Sequence, residues 1–340
     1  MTTKSRTSSP DTTRTSRCSG HVETMNRESA GQASLASVYA PEASAVYPGS
    51  AEVSLRPERS GAAAAERSTL RRPRTGREQL ASLGRTLSAR DFQILDSLSL
   101  HPFLTTGQLV RLHFADHMTE VSGGRVCRRV LMRLAELRVV EHLERRIGGV
   151  RAGSASFVWR LGPVGHRLLS LAASGADSAR ARRKQPSLHH LEHNLAIADA
   201  HLRLLEASAT HRFDLLRVQT EPRSWRPYVG AAGERLVLKP DLYAVTASGD
   251  YEDHWFVEVD RGTESLPTLL RKCGLYEAYR RSGAEQRSND VFPWVLWLMP
   301  SAALASKLRA AVDASRTLDH ALYRITTFDR LVAVIEGEPS

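Results

Sequence analysis

Cysteine is scarce. The three in the chain, Cys18, Cys127 and Cys273, are far apart, odd in number and in no Cys-x-x-Cys pair. That pattern excludes a disulfide framework and a cysteine-built zinc site. Long apolar runs are also missing. The longest, "VFPWVLWLM" at residues 291–299, has nine residues, whereas a helix across a bilayer needs about 20. The opening "MTTKSRTSSPDTTRTSR" lacks the apolar core of a secretory signal. No Gly-rich phosphate loop and no internal repeat occurs. These absences lead to the expectation of a cytoplasmic protein with no membrane partner.

What is present is charge, unevenly spread. The 340 residues carry a formal net charge of +10. Residues 85–184 hold 17 basic against 8 acidic side chains, and residues 185–340 hold 18 against 21. A basic module beside a mildly acidic one suits a polyanion partner for the first and either cation chemistry or none for the second. Residues 1–84, rich in Ser, Thr, Ala, Gly and Arg, show no sustained period and are read as a disordered tail. It is either a solvated extension or a weak electrostatic tether.

Ordered pattern starts near Leu87. Ser88 with Asp91, and Thr105 with Gln108, have the spacing of capping boxes that open two helices. A third helix is expected over residues 124–137, with Val126, Val130, Leu134 and Leu137 as its apolar stripe. Arg125, Arg128, Arg129 and Arg133 fall opposite that stripe. Two strand-like segments follow around Gly148-Gly149, with Arg145, Arg146 and Arg151 near the turn. The order helix, helix, helix, strand, turn, strand describes a winged helix-turn-helix over residues 85–173. A helix bearing several arginines on one face suits the major groove of double-stranded DNA, and the turn arginines suit a neighbouring phosphate strand. The alternatives are a solvated helix face or a protein-binding winged helix.

Residues 174–187 are small, polar and basic, and read as a linker. Residues 188–335 then alternate differently: a long helix, three strands, a helix with Pro267 in its first turn, a strand, a helix and a final strand. Within them lie "LKPDLYAV" and "WFVEVDRG". Asp241 and Glu258 sit near the ends of adjacent apolar strands, and Asp260 shares a face with Glu258. Burying carboxylates there is costly without a cation or hydrogen-bond donors. The layout resembles the α-β-β-β-α-β core of restriction-endonuclease-like domains, whose motif is written PD-(D/E)XK. That resemblance implies Mg²⁺ held by Asp241 and Glu258. Asp260 stands where the active motif has lysine. Lys272, on the helix after the strands, and Lys239 are the candidate replacements, and Lys272 also suits a solvated position. A relic site, with the acids neutralised by Arg261 or Lys272, is the competing account. His189 and His193, four residues apart, have no evident third zinc ligand. The "HHLEH" spacing also does not fit the His-hydrophobe-His cluster of a tyrosine relaxase.

The basic winged helix, "LEHNLAIADAHLRL", "KPDLYAV", "FVEVDRGTES" and "LLRKCGLYEAY" together resemble the bacterial replication-relaxation family. The resemblance covers residues 88–328. It implies a two-domain α+β or α/β protein that binds DNA and acts as an accessory in plasmid or mobile-element replication or relaxation. Plasmid replication or mobilisation proteins are the implied partners. Catalytic roles for Asp241, Glu258, Asp260 and Lys272 would make it a Mg²⁺-dependent endonuclease. A transcriptional regulator with a ligand- or protein-binding second domain is the third expectation.

Overall fold

Several helix starts in the computed structural model, which describes residues 76–117, 119–147, 156–172 and 186–339, fall where short polar side chains meet free amides. The first part comprises α1 (Arg77–Thr86), α2 (Ala89–Leu100), β1 (Leu104–Thr105), α3 (Thr106–His113), α4 (Glu120–Glu136), β2 (Val140–Ile147), β3 (Ser156–Leu161) and α5 (Pro163–Ala172). Ser88 Oγ accepts from the Asp91 amide at 3.2 Å and Asp91 accepts from the Ser88 amide at 2.8 Å. Thr105 and Gln108 repeat that exchange at α3, as both spacings anticipate. Thr119 with Ser122 opens α4, four residues earlier than expected. The strands form an antiparallel sheet in the order β1-β3-β2.

Two expectations change here. α1 lies inside the stretch read as tail, and Leu80 anchors it in the core. The buried stripe of α4 is Cys127, Leu131 and Leu134, with Val126 and Val130 only partly buried and Leu137 exposed. The stripe is rotated by about one residue from the expected one, and α4 approaches its neighbour closely at Gly123. A Cβ at Gly123 would stand 2.9 Å from the Phe114 carbonyl oxygen. Residues 1–75, most of the expected linker, the Gly148-Gly149 turn and Arg151 lie outside the described residues, as do the side chains of Arg145 and Arg146.

The second part comprises α6 (Leu188–Ala209), β4 (Asp214–Thr220), β5 (Arg226–Val229), β6 (Arg235–Leu238), β7 (Leu242–Ser248), β8 (Tyr251–Val259), α7 (Leu266–Ser282), α8 (Ala284–Asn289), β9 (Trp294–Met299), α9 (Ala302–Asp313), β10 (Tyr323–Thr327) and α10 (Leu331–Ile335). Its mixed sheet has the order β10-β9-β8-β7-β4. β8, β9 and β10 are parallel; β7 and β4 run antiparallel. Alternate residues of the central strands feed two cores. Leu242, Val257 and Leu298 pack with α6 and α10, while Tyr243, Phe256 and Trp297 pack with α7 and α9. "RLVLKPDLYAVT" is not one strand. Pro240, which has no amide to donate, lies in the break between β6 and β7. β6 instead pairs with β5 as a separate ribbon. Tyr228 of that ribbon meets the Tyr279 ring at 5.0 Å, and Arg226 reaches the buried Glu285 at 3.3 Å.

One continuous core joins the two parts, running from α2–α5 into α6 and the sheet. Polar contacts cross the same seam. Gln108 Nε2 donates to the Leu195 carbonyl and to Asp199, both at 2.9 Å. Arg111 grips Glu206 with two hydrogen bonds of 2.7 Å. Among the described residues no helix is long and apolar enough to cross a membrane.

Candidate acidic site and candidate nucleic-acid interface

The β7–β8 register pairs Leu242 with Val257, so the next step outward sets Asp241 beside Glu258. Both are buried. Asp241 Oδ2 accepts the Val259 amide at 2.8 Å, which ties it to β8. His193, on the first turns of α6, donates from Nε2 to Asp241 Oδ1 at 3.1 Å. That hydrogen bond raises the His193 pKa above its ordinary value, against the opposing effect of burial.

Glu258 faces α7. Tyr276 donates its hydroxyl to Glu258 Oε1 at 2.5 Å, and the Lys272 ammonium stands 3.7 Å from Oε2. Burial first, then the neighbouring Asp241 charge, push the Glu258 carboxyl up to about 8, although Lys272 and Tyr276 pull the other way. Glu258 is therefore largely protonated at neutral pH. Burial lowers the Lys272 pKa, but the Glu258 charge and the Glu264 hydrogen bond outweigh it, and the net shift is upward. The nearer partner of Lys272 is Glu264, at 2.9 Å. Tyr276 is one turn beyond Lys272 on the same helix face, and burial holds its hydroxyl in the protonated form.

Lys272 thus reaches the acids as the sequence anticipates. Lys239 does not: its ammonium lies 4.3 Å from the Trp225 ring centre, because the irregular backbone at Pro240 removes the alternation that would have aligned it with Asp241. Arg261 turns to Glu192 at 2.7 Å. Asp260 follows β8, with its amide bonded to the Leu298 carbonyl and its buried Oδ1 without a hydrogen-bond partner among the described residues. Asp241 and Glu258 are the hard oxygen donors a divalent cation would take. No group of three or more His, Cys, Asp or Glu side chains arranged to hold a metal occurs among the described residues. His193 and Tyr276 are the partners that strand-and-motif reasoning missed. His193 was weighed only as a zinc ligand, and Tyr276 lies in no catalytic motif.

On α4 the arginines divide. Arg125, Arg128 and Arg129 are exposed, and none has an acidic partner among the described residues. Arg133 folds back to Asp91 at 2.5 Å, and Asp91 is 1% exposed. Burial pushes the Asp91 carboxyl up, but hydrogen bonds from Arg133 and Ser88 bring the net shift below the ordinary value.

A family model described as replication-relaxation matches residues 95–295, spanning both parts and the acidic site. No curated protein and no solved structure matches the chain.

Proposed function

The chain belongs to the replication-relaxation family, and from that premise we propose that it is a DNA-binding accessory protein of plasmid or mobile-element replication or relaxation. In this reading α2, α3, α4 and the β1-β3-β2 sheet are a winged helix-turn-helix that docks double-stranded DNA. The observation that carries it is the outward face of α4, where Arg125, Arg128 and Arg129 stand exposed and without acidic partners among the described residues. Unpaired guanidinium groups on a helix suit both phosphate oxygens and guanine edges. Arg145, Arg146 and Arg151 would extend the contact to the flanking backbone. The test is duplex binding by the full chain and by a variant carrying Arg128→Ala and Arg129→Ala. Tenfold or greater weakening with an unchanged circular dichroism spectrum supports the reading, and equal affinity sinks it.

A second reading rests on a different observation. Asp241 and Glu258 are adjacent and buried, with a lysine ammonium at 3.7 Å, which is the residue set of a restriction-endonuclease-like centre. Asp241 and Glu258 would hold Mg²⁺, and the ion would polarise a phosphodiester. Lys272 would stabilise developing charge, and Asp260 would contribute a nearby carboxylate. The residues fit a cation only if His193 and Lys272 yield the oxygens they now occupy. Supercoiled plasmid incubated with the protein and Mg²⁺ or Mn²⁺ separates the readings. Nicking that Glu258→Ala abolishes establishes the nuclease, and intact plasmid with DNA binding retained leaves the accessory role.

A further inference from the structure

β10 is an edge strand of the mixed sheet, and no further strand pairs with its outer side among the described residues. Such an edge leaves carbonyls and amides free. Here two arginines take the carbonyls. Arg309, on α9, donates from Nη2 to the Ile325 carbonyl. Arg324 donates from Nη1 to the Ala321 and Tyr323 carbonyls, at 2.9 Å and 3.2 Å. Its guanidinium carbon lies 3.9 Å from the Trp294 ring centre. Against this edge lies a cavity of about 410 Å³, whose walls include Arg309, Asp313, His320, Arg324, Ile325 and Glu338.

Carbonyls and an indole ring satisfy donors without cancelling charge. Neither Arg309 nor Arg324 has a carboxylate within ion-pair distance among the described residues. Both are half-buried. Burial lowers the Arg324 pKa, and the Asp253 charge offsets that only in part. A partly desolvated cation without a counterion is costly, and an anion in the cavity would relieve that cost. Of the carboxylates in the walls, Glu338 is paired with Arg330 at 3.5 Å, and Asp313 is exposed.

A guanidinium carries more N–H donors than these carbonyls use. The Ile325 amide adds another, because a strand residue presents its N–H and its C=O to the same side. A carboxylate has two oxygens to offer such donors. A phosphomonoester has three terminal oxygens and a larger charge, which suits two guanidinium forks better. The volume falls in the range of small-molecule sites, roughly 300–1,000 Å³. It leaves room beyond the phosphate for an organic body and does not admit a duplex.

We propose that the cavity at the β10 edge binds a small phosphomonoester, with its phosphate held between Arg309 and Arg324. The inference rests on neither reading above.

The experiment titrates the full chain with AMP, inorganic phosphate and adenosine by calorimetry. AMP should bind, inorganic phosphate should compete with it, and adenosine should bind at least about tenfold more weakly. Arg309→Gln and Arg324→Gln should each weaken AMP at least about tenfold. Both side chains also hold backbone, so a gain is measured beside the losses. Asp313→Asn, at an exposed position, removes a carboxylate from the cavity wall and should tighten AMP about two- to fivefold. Absence of binding by AMP and by phosphate at ~10 mM overturns the proposal. AMP binding left unchanged by Asp313→Asn and by a folded Arg324→Gln also overturns it, because the ligand then sits elsewhere. Adenosine bound as tightly as AMP overturns recognition through the phosphate. Displacement of AMP by a DNA duplex without terminal phosphates assigns these arginines to a nucleic-acid backbone and overturns the small-ligand site.

Discussion

His101 and His201 bring their rings together inside the seam between the two parts, with Nε2 of one 2.8 Å from Nδ1 of the other. Both are buried, so one ring donates, the other accepts, and neither holds a charge. Burial pulls the His201 pKa down to about 4, and burial with the neighbouring ring pulls His101 well below its usual value. The unfolded chain binds those protons near pH ~6.5. The pair's contribution to folding stability is therefore complete above that pH and is lost as the pH drops from about 6.5 towards 4. Thermal unfolding should show Tm falling over this window, and His201→Gln should flatten the fall. A change in Tm from pH 7 to 5 that is the same in wild type and in His201→Gln would contradict the neutral pair.

Glu258 has the opposite sign. Its folded pKa of about 8 lies above the ordinary value of 4.5, so the native state binds the extra proton. The stability it contributes is present below about 4.5 and is lost as the pH rises through 8. Glu258→Gln keeps an oxygen acceptor for Tyr276 and abolishes the charge. At pH 8.5 that variant should be more stable than wild type by roughly 1 kcal/mol or more. Denaturant titrations at pH 5 and 8.5 measure the difference, and a variant less stable at the higher pH would show that Glu258 is held as a stabilised carboxylate.

Arg133 should behave unlike the other α4 arginines. Its removal leaves the Asp91 carboxylate buried without its cation. The cost is about 1–3 kcal/mol, discounted from a fully buried pair because the Arg133 side chain is 46% exposed. Arg125→Ala and Arg129→Ala, at exposed positions with no such partner, should stay within about 0.5 kcal/mol of wild type. Adding Asp91→Asn to Arg133→Ala should recover much of the loss. Full additivity of the two changes would mean that the pair does not interact.

Local signals in the sequence were legible where the chemistry is local. Ser88 with Asp91 and Thr105 with Gln108 announced their helix starts because a capping box needs only residues three apart. The α6 helix followed from its helical period, with Leu191, Leu195, Ala198, Leu202 and Leu205 buried along one face, while the burial of Ile197, Ala200 and Leu204 needs the neighbouring part. The approach of Lys272 to Glu258 was also readable, since a helix after the acidic strands packs on one sheet face. What escaped depends on neighbours distant in sequence. Nothing in Gln108 announces Leu195 or Asp199 as its partners, so the seam between the parts was not legible. The elements that cover α4 bury Cys127 and leave Leu137 exposed. Pro240 turned an apparent long strand into two, and Lys239 went with the break. The Asp91 partner of Arg133 likewise lies 42 residues away.

The most direct test of DNA binding through α4 is the salt dependence of duplex affinity for the full chain and for the triple variant Arg125→Ala, Arg128→Ala, Arg129→Ala. Each phosphate-neutralising arginine contributes about 0.9 to the slope of log affinity against log salt, and those on base edges contribute less. The wild-type slope should be steep and should flatten by about 1–3 in the variant, with affinity at ~0.15 M salt falling at least tenfold. An unchanged slope and affinity in a folded variant would contradict the assignment of α4 as the DNA-binding helix.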